Sequence, residues 1–262
     1  MKRVGLVLGG GGARGLCFIE FCRVLDELGV KPVMISGTSI GAIIGAFYAA
    51  GISADQMEKE LESITLLKIP KLVDPHLVIK TALFKGHRLE AYFRATLGCD
   101  QFEQLPIPLR VNAADYWSRE EIVFDHGPLI PAIRASMSLP VIFEPVIYQN
   151  RVLIDGGAVN PLPVDLIRAH CDYLIAIDVS GSITPSKHRN FPRLFDSIMG
   201  TFQTMQCSII AERLKHTHVE CYVRPQLVNF GILDFFQERD IRASVAADVE
   251  WFRETLIKDL LV

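Results

Sequence analysis

Ser39 lies in Gly37-Thr38-Ser39-Ile40-Gly41, within a stretch from Val33 to Gly45 that reads as a buried strand, a tight turn and a helix with the serine at the apex. Gly37 and Gly41 remove side chains that would collide where the strand folds back on the helix, so a strained serine can sit exposed on the bend. The helix that begins there aims unpaired backbone N–H groups and a partial positive charge at the serine oxygen, which favours alkoxide character. This is the chemistry of a nucleophile. The G-x-S-x-G spacing alone also fits a purely structural turn.

A second glycine motif, Gly10-Gly11-Gly12-Ala13-Arg14-Gly15, follows the apolar run Arg3 to Leu8 and precedes a helical pattern from Leu16 to Leu28. Its G-x-G-x-x-G spacing admits a dinucleotide cradle, an oxyanion hole or a tight strand-to-helix turn. A dinucleotide site wants an acidic residue about 20 residues on, at the end of the second strand. No Asp or Glu stands between Lys31 and Asp55, and no G-x-x-x-x-G-K-[ST] occurs. Two such strand–turn–helix units in succession imply a parallel pair with both turns at one sheet edge. The glycine N–H groups then lie beside Ser39, where acyl transfer needs donors for a developing oxyanion.

A serine needs a group to take its proton. The histidines after Asp155 are His170, His188, His216 and His218, and none sits in a short turn directly after an expected strand. Asp155 does follow an apolar strand and is succeeded by Gly156 and Gly157, although Asp-Gly is also a common turn dipeptide. Asp178, at the end of the run Tyr173 to Val179, is the second candidate base.

Taken in order, Gly10 to Gly15, Gly37 to Gly41, Arg134-Ala135-Ser136-Met137-Ser138-Leu139-Pro140 and Asp155-Gly156-Gly157-Ala158-Val159-Asn160-Pro161 resemble the patatin-like phospholipase family over the first 180 or so residues. The resemblance implies a Ser–Asp dyad: Ser39 as nucleophile, Asp155 as base and the Gly10, Gly11 and Gly12 backbone as oxyanion hole. Arg14 matches the family's basic residue, with the choice of positioning the turn or meeting a lipid phosphate. Gly15, Gly37, Gly41, Gly156 and Gly157 are supporting motif positions. Asp-Gly-Gly stands where many members have Asp-Gly-Ala. The implied activity is hydrolysis of fatty acyl esters, phospholipid or lysophospholipid among them, with no cofactor and no calcium. The alternatives are a catalytically weak or regulatory protein of the same fold, and a nucleotide-binding α/β protein. An aspartate near its reference pKa of about 3.9 is a poor base for a hydroxyl, so a desolvated Asp155 within hydrogen-bond reach of Ser39 is expected.

The elements that must hold these turns call for an α/β fold, three-layer α/β/α with a mostly parallel central sheet. At 262 residues without a linker-like stretch, one domain over 1–262 is expected. Helices are expected after Ser53-x-x-Gln56, over Arg88 to Leu97, Pro128 to Met137 and from Pro192 to His216. Strands are expected over Pro106 to Tyr116 and Glu120 to Asp125, with a hairpin about Gln149-Asn150-Arg151. The longest apolar run, Ile40 to Ile52, is broken by three glycines and falls short of the roughly 18 to 20 residues of a spanning helix. With no signal-peptide pattern after Met1-Lys2-Arg3, a cytoplasmic chain is expected, peripheral to membranes if the apolar stretches Ile64 to Phe84 and Leu227 to Phe236 touch a bilayer. Core packing, a lid and a homo-oligomer contact are the other readings of those stretches. The six cysteines lack a C-x-x-C pair and read as reduced core residues. The histidines lack metal-ligand spacing, so no metal is expected. A net charge of −3 with dispersed Lys and Arg argues against nucleic acid, and Lys187-His188-Arg189 with Arg193 reads as a solvated patch.

Overall fold

The computed structural model describes residues 2–67, 82–185 and 191–262. β1 (Val4–Leu8) runs through a 3-10 turn (Gly12–Cys17) into α1 (Phe18–Leu28), which Gly29 ends in the left-handed conformation at φ 66°. β2 (Met34–Gly37) crosses the Ser39 bend into α2 (Ile40–Ala49). Ser53 and Gln56 exchange the two bonds of a capping box at the head of α3 (Ala54–Leu67). β3 (Ala82–Phe84), α4 (His87–Leu97), β4 (Leu109–Asp115), β5 (Glu121–Phe124), α5 (Leu129–Ser136) and β6 (Val141–Phe143) follow. β7 (Val146–Tyr148) and β8 (Arg151–Asp155) form a hairpin whose two turn residues, Gln149 and Asn150, both have positive φ, as the twist of a two-residue turn demands. α6 (Val164–Ile167), β9 (Tyr173–Ile177), α7 (Leu194–His216), β10 (Cys221–Val223), α8 (Glu238–Ser244) and α9 (Ala246–Leu256) complete the order.

The main sheet has eight strands in the order β10-β9-β1-β2-β4-β8-β7, with β5 also paired to β4. β10, β9, β1, β2 and β4 are mutually parallel, while β8, β5 and β7 join antiparallel. The sequence order reverses at β1: β2 and β4 lie to one side, β9 and β10 to the other. In open parallel sheets such a switch point opens a crevice at the strands' C-terminal ends. The glycine turn after β1 and the Ser39 bend after β2 both lie there.

Side-chain alternation divides the core into two faces. Leu6 and Leu8 of β1, with Ile175 and Ile177 of β9, enter the larger core with α1, α2, α5 and α9. Val7, Leu174 and Ala176 point the other way, onto Val164 and Ile167 of α6 and Ile210 of α7. The strands are apolar on both faces because helices cover both.

Three expectations change. β3 and β6 form a separate parallel pair that the sequence reading did not find. All six cysteines are free, but Cys99 and Cys207 are half-buried rather than core. Leu227 to Phe236 is divided, with Leu227 in the core and Phe236 exposed, and the Ile232 carbonyl accepts from Ala13 N–H over the glycine turn at 2.9 Å. Residues 68–81 of the apolar stretch Ile64 to Phe84, and the patch Lys187-His188-Arg189, lie outside the described residues. Among the described residues no helix is long and apolar enough to cross a membrane.

Candidate active site

Ser39 caps α2 at φ 56° and ψ −120°, a conformation that side-chain-bearing residues avoid and that costs on the order of 1–3 kcal/mol. Two glycines make the bend sterically feasible. A Cβ on Gly41 would overlap the carbonyl of Leu8, and one on Gly37 would overlap the carbonyl of Gly41. β1, β2 and α2 therefore meet backbone to backbone at this point. The bend turns Ser39 Oγ onto Asp155, to which it donates a hydrogen bond of 2.7 Å, and Ser39 N–H donates to Ser136 Oγ at 2.8 Å.

The glycine turn passes beside the serine: a side chain on Gly10 would begin 3.6 Å from Ser39 Cβ. Of the three amides expected to receive an oxyanion, Gly10 N–H already donates to Pro161 O at 2.8 Å. The N–H groups of Gly11 and Gly12 have no partner among the described residues. Gly12 is at φ 60°, and a Cβ there would overlap the backbone of Ile232. Arg14 is buried, and its guanidinium donates to Gly11 O at 3.1 Å and to Ser180 O. Burial lowers its pKa to about 10, against the pull of the Asp178 charge, so it is still a cation at neutral pH. Of the two roles open to Arg14, this geometry fits holding the turn.

Asp155 ends β8 and is 2% exposed. Its second oxygen accepts the Gly157 N–H at 2.7 Å, and its own N–H donates to Ser138 O at 3.0 Å. Burial pushes its pKa up to about 6, while the bonds from Ser39 and Gly157 pull it down. A carboxylate so placed is a base of useful strength near neutrality.

Asp178 and His216 have partners of their own, and His188 lies outside the described residues. Asp178 accepts from Tyr222 OH at 2.7 Å and Ser180 N–H at 2.9 Å, with the Arg224 guanidinium 3.7 Å away. His170 closes a 3-10 turn, and His216 pairs with Glu212 at 3.2 Å on an exposed helix end.

Several site residues escaped the sequence reading. Thr38 Oγ1 lies 2.8 Å from Asn112 Oδ1 and 2.9 Å from Asn160 O. Asn112 and Asn160 both donate to Glu121, at 2.9 and 2.8 Å, and Asn160 also donates to Asp165 at 3.0 Å. This buried polar web joins the elbow, β4, β5 and the turn after Asp155. Asn112 in the apolar run Val111 to Ala114 was its available signal, since a polar residue inside a buried strand needs partners. Gln206 of α7 donates to Gly157 O at 3.2 Å, and the sequence carried no sign of that contact.

A family model described as Patatin-like phospholipase matches residues 6–167. An uncharacterized NTE family protein of Mycobacterium tuberculosis is 36% identical over 181 residues, which cover 69% of this chain and 50% of that protein. Lysophospholipase NTE1 of Candida glabrata is 28% identical over 266 aligned positions, covering 92% of this chain and 15% of NTE1. The chain thus spans half or less of the length of these curated relatives. The crystal structure of VipD from Legionella pneumophila superposes with a TM-score of 0.52 at 12% identity, over 96% of this chain and 67% of that one. ExoU of Pseudomonas aeruginosa, in its complex with SpcU, gives 0.51 at 15% identity, over 99% of this chain and 53% of that one. At such identities the likeness is one of fold.

Proposed function

The chain belongs to the patatin-like phospholipase family, and from that premise we propose that it is a serine hydrolase of fatty acyl esters, lysophospholipids among them, working through Ser39 and Asp155. The observation that carries this reading is the 2.7 Å bond from the hydroxyl of Ser39, on its strained backbone, to a buried carboxylate, beside two glycine amides without a partner among the described residues. Asp155 takes the hydroxyl proton as Ser39 Oγ bonds to the ester carbon. The carbonyl oxygen becomes an oxyanion held by the N–H groups of Gly11 and Gly12. As the C–O bond breaks, Asp155 returns the proton to the departing alcohol oxygen. Water then gives a proton to Asp155 as its oxygen bonds to the acyl carbon, and as the bond to Ser39 Oγ breaks Asp155 returns that proton to Oγ, releasing the fatty acid and restoring the dyad. The lysophospholipid substrate rests on the likeness to the lysophospholipase NTE1 and on the family. We take the chain as one catalytic unit, an assignment supported by α9 packing Phe252 edge-on against Phe21 of α1 at 5.4 Å.

The test is hydrolysis of nitrophenyl esters and of lysophosphatidylcholine by the wild type and Ser39→Ala. Loss of at least three orders of magnitude in kcat is expected on removing the nucleophile. Equal rates would overturn the proposal. A regulatory protein of the same fold would show no turnover with either substrate and no labelling of Ser39 by a fluorophosphonate.

A further inference from the structure

The end of α5 and the residues after it touch both members of the dyad from behind. Ser136, fully buried, accepts the Ser39 N–H through its Oγ at 2.8 Å. Two residues later the Ser138 carbonyl accepts the Asp155 N–H at 3.0 Å. The segment is itself anchored. Arg134, 2% exposed, donates to Ser138 Oγ at 2.7 Å, to Glu144 O at 3.0 Å and to Lys85 O, and stacks 5.3 Å from the Phe143 ring centroid. A cation buried with that many oriented bonds sits in a fixed place.

We propose that Ser136 is a positioning residue for the reaction: its hydroxyl holds the Ser39 elbow at its strained angle, and the 136–138 segment fixes the serine and Asp155 amides relative to one another. The inference rests on the Ser39–Asp155 reading above. Its physical basis is the direction of the Ser39 N–H. In this conformation the amide is aimed at Ser136 Oγ, 2.8 Å away, which receives it. Without that acceptor a part-buried N–H is left unpaired, and the strained backbone loses what opposes its relaxation. A small rotation there moves Oγ away from the carboxylate, and near-attack geometry is steep in distance. Ser136 Oγ bonds the backbone amide of Ser39 and acts through it, so its removal should slow the chemical step without weakening substrate binding.

The experiment compares wild type with Ser39→Ala, Ser136→Ala and Ser136→Cys on a short nitrophenyl ester. Cysteine fills the space of the serine but is a weak acceptor, so it separates the hydrogen bond from the cavity. Both Ser136 variants are expected to lose ten- to a hundredfold in kcat with KM within about twofold, and the rate of fluorophosphonate labelling of Ser39 should fall in step. If Ser136→Cys turns over at the wild-type rate while Ser39→Ala is inactive, the positioning role is overturned and the dyad stands. If Ser39→Ala keeps full activity, the dyad reading itself is what fails. If the variants fold poorly, the labelling rate in the folded fraction recovered by gel filtration decides, and a wild-type rate there overturns the proposal.

Discussion

Asp155 and Asp178 are nearly the same local structure. Each lies at the C-terminal end of a strand, is 2% exposed, and accepts the backbone N–H two residues on, at 2.7 Å from Gly157 and 2.9 Å from Ser180. They part at the second oxygen. For Asp155 the donor is Ser39 Oγ; for Asp178 it is Tyr222 OH at the same 2.7 Å, with Arg224 3.7 Å away. Burial, and then the Asp178 charge, pushes the Tyr222 hydroxyl pKa up, so it remains a donor. The Asp178 turn also presents Ser180 O to Arg14, which holds the glycine turn. In the proposed reaction one aspartate takes the proton of a hydroxyl that bonds to the ester carbon, and the other supports the wall of the same crevice. Turn geometry is shared; the neighbouring element decides the chemistry.

The largest expected effect breaks this pair apart. Asp155→Asn should cost at least three orders of magnitude in kcat, since the amide cannot take the serine proton, while Asp178→Asn should leave kcat within about threefold. Comparable losses from both, measured on the same ester, would mean that Asp178 takes part in proton transfer after all.

The second effect is on pH. With Asp155 pushed up to about 6, kcat/KM should rise with pH through about 6 and level off above it, in wild type and Asp178→Asn alike. Stability runs the other way. The native carboxyl titrates above its unfolded value of about 3.8, so between pH 4 and 6 the native state binds more protons than the unfolded one, and stability falls as pH rises. The displacement corresponds to something on the order of 3 kcal/mol, fully expressed above pH 6. Asp155→Asn should remove that contribution, so the change in urea-unfolding stability on going from pH 4 to pH 7 should be more favourable for the variant than for wild type. A rate profile flat from pH 5 to 8 would count against Asp155 as the titrating base.

Legibility in the sequence followed the same division. Gly37 and Gly41 report a backbone collision that only their own spacing can relieve, so the elbow could be read directly, as could the parallel pair that brings the Gly10 to Gly15 turn beside it. The choice between Asp155 and Asp178 could not be read from the residues, because both stand after apolar runs and before turns. Only the resemblance favoured Asp155, and Ser39 and Tyr222 reach their carboxylates from positions 116 and 44 residues away. The resemblance implies the Gly10, Gly11 and Gly12 amides alike, and nothing local in the sequence shows the bond from Gly10 N–H to Pro161 O. Ser136 and Arg134 lay in a recognised motif, but their contacts are set by packing between α5, the elbow and the loops around Lys85 and Glu144, which no local pattern encodes.

The smallest expected effect tests how closely α7 is fitted to the Asp155 turn. A Cβ on Gly157 would overlap Gln206 Nε2 and lie 2.9 Å from Asp155 Oδ1. Gln206 ends a flexible side chain and can yield, so Gly157→Ala should fold, lose the 3.2 Å bond from Gln206 to Gly157 O, and drop about 1 kcal/mol or less. For a chain of this size that is about 2–4 °C in Tm. Activity should stay within about threefold, since the Gly157 N–H still holds Asp155. Gln206→Ala removes the same bond without crowding, so the double variant should be no less stable than either single one. Additive losses would mean that the alanine methyl strains the Asp155 turn itself, and a hundredfold fall in kcat for Gln206→Ala alone would move α7 from the supporting side of the comparison to the reacting side.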